Sequence, residues 1–344
     1  MIDKKLREFI VGIPKAEVHI HLDSVYPDLL LRIAERNGVS LPFASVDEAN
    51  SWYSFDDLED FLQKWETTTA VLQTEQDYYD VAYEMGRDMT RQNTLRREAM
   101  FDYTAAHEGR VELEIMLRGL ARGRRAVKND FDVELLFIAN IDRTISSDRS
   151  FKFVEEIIGY KDEVGLIGLG LESQEVGYPA GPHAPAFRLA RENGFKLSAH
   201  CGEEYAAGPA GVWEVLDSLE PDRIDHGNQA IRDDALVAHL AQTQIPVNLC
   251  PMSNVGIKVY EHVSEHPVIA LRDNGVLVTI SSDDPPFMKH NLVETYMAVA
   301  EAFDLGQDDV ADLAQNSFIA SYCSENERRD YLSRLDDWLT AAGA

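Results

Sequence analysis

The chain is short of cysteine, short of positive charge and free of long apolar runs, and each shortage removes a class of function. Its three cysteines, Cys201, Cys250 and Cys323, are odd in number and widely separated, so they supply neither a disulfide framework nor a C-x-x-C zinc knuckle. Any metal has to be held by histidine and carboxylate. Lysine and arginine total 32 against 60 aspartate and glutamate, a formal charge of -28, and no basic cluster offers the phosphate contacts that a nucleic acid requires. A small, uncharged or cationic substrate suits such a chain better. No run approaches the roughly 20 apolar residues of a membrane span. The opening MIDKKLREFIVGIPK also has no apolar stretch of signal-peptide length. These readings predict a cytoplasmic protein with no nucleic-acid or membrane partner.

What is present is ordinary for a folded protein: 45% hydrophobic and 27% charged residues over 344 positions, enough for a sizeable core. No linker or low-complexity segment marks a boundary, so residues 1–344 read as a single barrel-sized domain. Eight short β-rich runs recur with helical patterns between them: EVHIHL (17–22), LRREAMFDY (95–103), VELLFIANI (133–141), GLIGLGLES (165–173), KLSAHC (196–201), RIDHG (223–227), PVNLCP (246–251) and LVTISSDD (277–284). Eight is the number that a closed (β/α)8 TIM-type barrel requires, and a doubly wound open sheet is the alternative that periodicity leaves standing. The interval after the first strand is long enough for several extra helices, and the tail after the eighth also reads as helix.

The unusual polar residues fall where these strands end. His19 and His21 end the first strand, His200 the fifth, His226 the sixth, and Asp283 with Asp284 follow the eighth. In a barrel those ends share one face, where active sites of this fold are assembled. Two residues apart on a strand, His19 and His21 point to the same side. An H-x-H pair alone is as well explained by two hydrogen-bonded polar residues. Joined by His200 and Asp283, it becomes a set of three imidazoles and one carboxylate that suits zinc. Asp283-Asp284-Pro285 also reads as a helix N-terminus, Asp capping and Pro in the first turn. A water activated by zinc still needs proton-transfer partners. His226 is placed to be the base and Glu203, three residues past His200, to be the proton donor. Their plain alternatives are a core histidine and a solvated acid.

In their order and spacing, PKAEVHIHLD, AHCGEE, RIDHG, LCPMSN and SSDDPPF resemble the adenosine and adenine deaminases, from about residue 13 to the C-terminal helices. The resemblance implies a (β/α)8 barrel holding one zinc through His19, His21, His200 and Asp283. It implies that Glu203 protonates purine N1, that His226 assists the water and that Asp284 contacts N7. The segment GLESQEVGYP resembles the turn that lines the purine, with Ser173 and Glu175 near the base. WYSFDDLEDFLQKW resembles a helix at the mouth, with Phe55, Leu58, Phe61 and Trp65 along one face, a stripe that core packing would explain equally.

Two points bear on the substrate. Ser24 stands where the family usually has glycine, and Asp23 resembles the ribose-binding residue of adenosine-acting members, although SQEVGYP and FDYTAAHEGR are more like the adenine branch. The reading therefore leans to adenosine, with adenine or an N6-substituted adenine as the alternative. A two-metal amidohydrolase is disfavoured because GLGLESQE has no lysine to bridge the metals. The zinc deaminases of polynucleotides need H-x-E with P-C-x-x-C, and neither is found. A non-catalytic binding protein would have lost a ligand or the proton donor, and all are present.

Overall fold

The computed structural model describes residues 2–343. Eight parallel strands lie side by side in chain order: β1 Lys15–His21, β2 Thr94–Asp102, β3 Glu134–Asp142, β4 Leu166–Glu172, β5 Lys196–Cys201, β6 Arg223–His226, β7 Val247–Leu249 and β8 Val278–Ile280. β1 and β2 are buried along their whole length, as strands are when helices cover the outer face of a parallel sheet. This is a (β/α)8 barrel, and every β-rich run of the sequence has become one of its strands.

The seam between β8 and β1 is made by one residue. Asp283 N–H donates to His19 O at 3.3 Å, and His21 N–H donates to Asp283 O at 2.9 Å, a parallel bridge centred on Ile20. The backbone that closes the barrel thus sets the Asp283 side chain against both histidines of β1. It also explains why LVTISSDD yields only three strand residues: the chain turns at Asp283, with φ of 65°, to reach β1. PVNLCP is cut short in the same way because Pro251 opens a helix.

Four helices fill the long interval after β1: Pro27–Asn37, Val46–Trp52, Leu58–Thr69 and Glu75–Arg91. The third starts at Asp57, whose side chain accepts from Asp60 N–H at 2.9 Å, the usual remedy for an unpaired donor in a first turn. The fourth packs closely on Leu113–Phe131 because of two glycines. A Cβ at Gly119 would lie 2.4 Å from Glu75 O, and one at Gly123 would lie 2.6 Å from Ala82 Cβ. Helices Leu292–Ala302, Gln307–Ala320 and Glu325–Ala342 complete the shell. Ser317 of the second accepts from Ala16 N–H of β1 at 2.8 Å. Among the described residues no helix is long and apolar enough to cross a membrane.

Candidate active site

His19, His21, His200 and Asp283 converge at the C-terminal ends of β1, β5 and β8, all buried. His19 Nε2 and His21 Nε2 lie 3.1 and 3.2 Å from Asp283 Oδ1, and His200 Nε2 lies 3.3 Å from His21 Nε2. The outer ring nitrogens face acceptors: Leu171 O at 3.0 Å from His200 Nδ1, Glu172 Oε2 at 3.4 Å from His21 Nδ1 and Asp225 Oδ1 at 3.6 Å from His19 Nδ1. An imidazole that turns its N–H outward presents a lone pair inward. Three lone pairs and a carboxylate therefore meet with no donor between them, and neither ring nitrogen of His19 has a hydrogen-bond partner. Spacings of about 3.3 Å are those of ligand edges around an ion held at roughly 2.0–2.2 Å. The donor set fits a divalent metal. A second grouping, His226, Cys250 and Asp283, is a poor alternative, because burial pushes the Cys250 thiol well up and away from the thiolate that metals bind.

Beside this cluster stand two groups with opposite proton affinities. Burial, reinforced by Asp283, Glu175, Glu204 and Asp284, pushes the Glu203 carboxyl well above its ordinary range, which favours its protonated form. Burial pushes His226 down to about 3, so its ring is neutral. His226 Nε2 lies 3.6 Å from Glu203 Oε1 and 3.8 Å from Asp283 Oδ2. A resident acid and a resident base side by side are what proton transfer to and from one substrate requires. Three non-glycine residues here sit at positive φ: Ser173 at 78°, His226 at 63° and Asp283 at 65°. Such backbone is costly for side-chain-bearing residues and persists where the surroundings enforce it.

The cluster opens into a cavity at the mouth of the barrel. Leu58, Phe61, Leu62, Trp65 and Ile257 form its apolar wall, and Ser173, Glu203, His226 and Asp284 line it with Asp102, Asp142 and Glu172. Asp284 heads the short helix Pro285–Met288, but its side chain makes no cap. Instead it accepts from the Ser24 hydroxyl, which accounts for a side chain at position 24. Burial, with Asp283 nearby, pushes Asp284 up to about 7 against the opposing influence of His21.

Three residues assigned to the substrate from sequence lie elsewhere. Phe55 precedes the mouth helix and packs on Phe61 and Phe287, with ring centroids 5.3 and 6.1 Å away. Glu175 does not line the cavity; its carboxylate accepts from Gly202 N–H at 2.8 Å and Glu203 N–H at 2.9 Å, holding the loop that carries the acid. Asp23 is buried behind the wall, accepting from Asp102 N–H at 3.0 Å and His107 Nε2 at 2.9 Å. His107 Nδ1 in turn lies within hydrogen-bond distance, 3.1 Å, of the Tyr78 hydroxyl oxygen. With both oxygens engaged, Asp23 is a brace. Asp23→Ala is expected to destabilise the fold by about 1.5–3 kcal/mol, the range for hydrogen bonds to a charged group, measured by urea unfolding. An unchanged midpoint with a loss confined to nucleoside substrates would return Asp23 to the substrate. The structure also brings in residues to which the sequence reading gave no role: Asp102, Asp142, Glu172, Asn254 and His266. Three of them lie in segments that carried a signal: Asp102 in FDYTAAHEGR, Glu172 in GLESQEVGYP and Asn254 at the end of LCPMSN.

A parallel eight-stranded barrel with a buried histidine–carboxylate cluster that fits a metal, an acid of raised proton affinity and a neutral imidazole at its C-terminal face has the make-up of a hydrolase of the amidohydrolase type. Comparison narrows the class. The sequence model described as Adenosine deaminase matches residues 14–338. The adenine deaminase of Hahella chejuensis is 35% identical over 97% of this chain and 99% of its own, and that of Ralstonia pickettii 37% identical over 99% of both. The crystal structure of adenine deaminase from Arthrobacter aurescens superposes with a TM-score of 0.91 at 30% identity, covering 96% of this chain and 100% of that one. The chain belongs to the adenosine deaminase family and is a purine deaminase, a hydrolase of carbon–nitrogen bonds.

Proposed function

We propose that this chain deaminates the free base adenine to hypoxanthine and ammonia, with one zinc ion held by His19, His21, His200 and Asp283. The observation that carries the substrate is the acidic wall formed by Asp102, Asp142 and Glu172 at the ends of β2, β3 and β4. In the ring of eight strands these stand across from β6, β7 and β8. A base with C6 at the histidines and N7 at Asp284 turns its N3/N9 edge towards them. Adenine carries a hydrogen there, at N9, which a carboxylate accepts. A nucleoside carries carbon at the same position and brings a sugar against three acids. Asp23, on which the lean to adenosine rested, is engaged by His107 and Asp102, and the relatives named above are adenine deaminases. Adenine therefore replaces adenosine as the preferred reading.

Zinc, when bound, brings the pKa of a coordinated water towards neutrality. The chain supplies the rest. Glu203 gives its proton to N1, which makes C6 electron-poor. His226, neutral at working pH, takes a proton as water adds to C6. Asp284 meets N7 and keeps the ring from turning, while Leu58, Phe61, Leu62 and Trp65 cover its face and exclude bulk water. Return of the proton from His226 to the amino group lets ammonia leave, the hydroxyl proton on C6 passes to Glu203 as the carbonyl forms, and N1 keeps the hydrogen that it received.

Ammonia release from adenine, 9-methyladenine and adenosine tests the substrate. The kcat/KM for adenine is expected to exceed both others by about 10²-fold or more, because a site built to accept N–H rejects analogues that lack it. Equal or faster turnover of adenosine would overturn the reading.

A further inference from the structure

Glu203 meets the protein through only one of its carboxyl oxygens. Asn254, on the helix Pro251–Gly256 that follows β7, donates from Nδ2 to Glu203 Oε1 at 3.2 Å. The orientation of that amide is itself determined. His266 Nδ1 accepts from Val268 N–H at 3.2 Å, which leaves the proton of this ring on Nε2, and Nε2 donates to Asn254 Oδ1 at 3.1 Å. With its oxygen turned to His266, Asn254 presents its NH2 group to Glu203 and, at 3.5 Å, to Nδ1 of His226. Both residues are buried. Asn254 is pinned through its backbone as well, since its carbonyl accepts from Val259 N–H at 2.8 Å and Tyr260 N–H at 3.2 Å.

A protonated carboxyl has one carbonyl oxygen and one hydroxyl oxygen, and an amide donor pairs with the carbonyl. The donor of Asn254 makes Oε1 the carbonyl, and Oε2 therefore carries the hydrogen. Among the described residues no protein group hydrogen-bonds Oε2, and Glu203 lines the cavity. We infer that His266 and Asn254 are a positioning pair: a backbone N–H sets the His266 tautomer, His266 orients Asn254, and Asn254 directs the acid hydrogen of Glu203 into the cavity. The inference rests on the reading of Glu203 as the proton donor. It adds that the acid is aimed by a relay touching neither substrate nor metal.

Steady-state kinetics on adenine, with metal content and unfolding midpoint recorded for each variant, test the relay. Asn254→Ala is expected to lower kcat by about 10- to 10²-fold with KM within about two-fold and metal content unchanged, the pattern of an interaction needed only in the transition state. His266→Ala should lower kcat in the same sense, and His266→Gln, which keeps a donor facing Asn254, should recover most of it. The decisive comparison is with Glu203→Gln: adding Asn254→Ala to that variant should cost much less than it costs in the wild type, because two residues acting as one unit are not additive, and any small remainder reflects the contact of Asn254 with His226. If Asn254→Ala does not fold, Asn254→Asp keeps the acceptor for His266 but replaces the donor by oxygen, and the same loss of kcat is expected. Independent, multiplicative losses in the double variant, or unchanged kcat in Asn254→Ala, would overturn the relay while leaving Glu203 as the acid. A Glu203→Gln variant of near-normal activity would instead remove the reading on which the relay rests.

Discussion

Glu203→Gln is expected to reduce kcat/KM on the purine substrate by roughly 10²- to 10⁴-fold, the usual contribution of a general acid, with metal content unchanged. Glutamine keeps the size of the side chain and can accept from Asn254, so the loop that Glu175 holds through Gly202 and Glu203 N–H is undisturbed. What disappears is the transferable proton. The wild-type enzyme should also lose kcat/KM as pH rises. Burial, together with Asp283, Glu175, Glu204 and Asp284, raises the Glu203 pKa, so the active, protonated form is complete below that raised value and is lost above it. Glu203→Gln has no such group, and its residual rate should not follow that limb. Metal lost along with activity would make Glu203 a support of the metal cluster. The contrast is His226→Ala, which should spare metal and fold and cripple the rate, since the ring is buried, neutral and outside the ligand set.

His200→Ala carries the other large effect: loss of bound metal and of activity by roughly 10³-fold or more, given how strongly such sites depend on the ion to activate water. The wild-type protein, purified without added metal, should contain about one zinc per chain. Removal of zinc by chelation should be reversed by adding it back. His200→Ala should not respond to re-addition, because the opening left between Leu171 O and His21 Nε2, the neighbours of its two ring nitrogens, contains no replacement donor. Elemental analysis with a parallel activity assay decides the matter. A metal-free wild-type protein of full activity would remove the ion from the reaction. In the apo state the cluster should be strained, because burial opposes a proton on His21 while Asp284, Asp283 and Glu172 push its pKa well up. A bound cation relieves that demand, so a rise in melting temperature on zinc binding is expected as well.

Much of this arrangement was legible before any coordinates. The eight strands are legible because each is a short run bounded by turns, most of them rich in β-branched or aromatic residues, and because helical periodicity separates them. The convergence of His19, His21, His200 and Asp283 is legible for a related reason. His19 and His21 share a strand, where a spacing of two dictates a common face, and the others sit at strand ends that a barrel gathers on one rim. What failed was the assignment of residues whose role depends on direction. Asp23 follows the ligands by two residues, which in sequence looks like membership of the same cavity. The chain beyond His21 leaves the strand, however, and Asp23 turns to His107, 84 positions away. Glu175 lies near the base in sequence order, yet its carboxylate reaches round to the β5 loop. Phe55 shares the helical spacing of Leu58 and Phe61, but Asp57 starts the helix after it.

The amino-acid sequence by itself determined the barrel, the metal-ligating residue types and the reaction class, because these follow from local periodicity, from strand ends and from the chemistry of histidine beside carboxylate. Tertiary structure alone decided which way each polar group points. It showed that Asp283 seams β8 to β1 with its backbone while its side chain meets His19 and His21, and that Ser24 serves Asp284. It also showed that Asn254 is oriented by His266, and that three acids from separate strands make one wall. The physical reason is that a buried polar group must find its partner wherever the fold puts one, and those partners are separated by 12 to 264 positions along the chain, a distance that no local pattern spans.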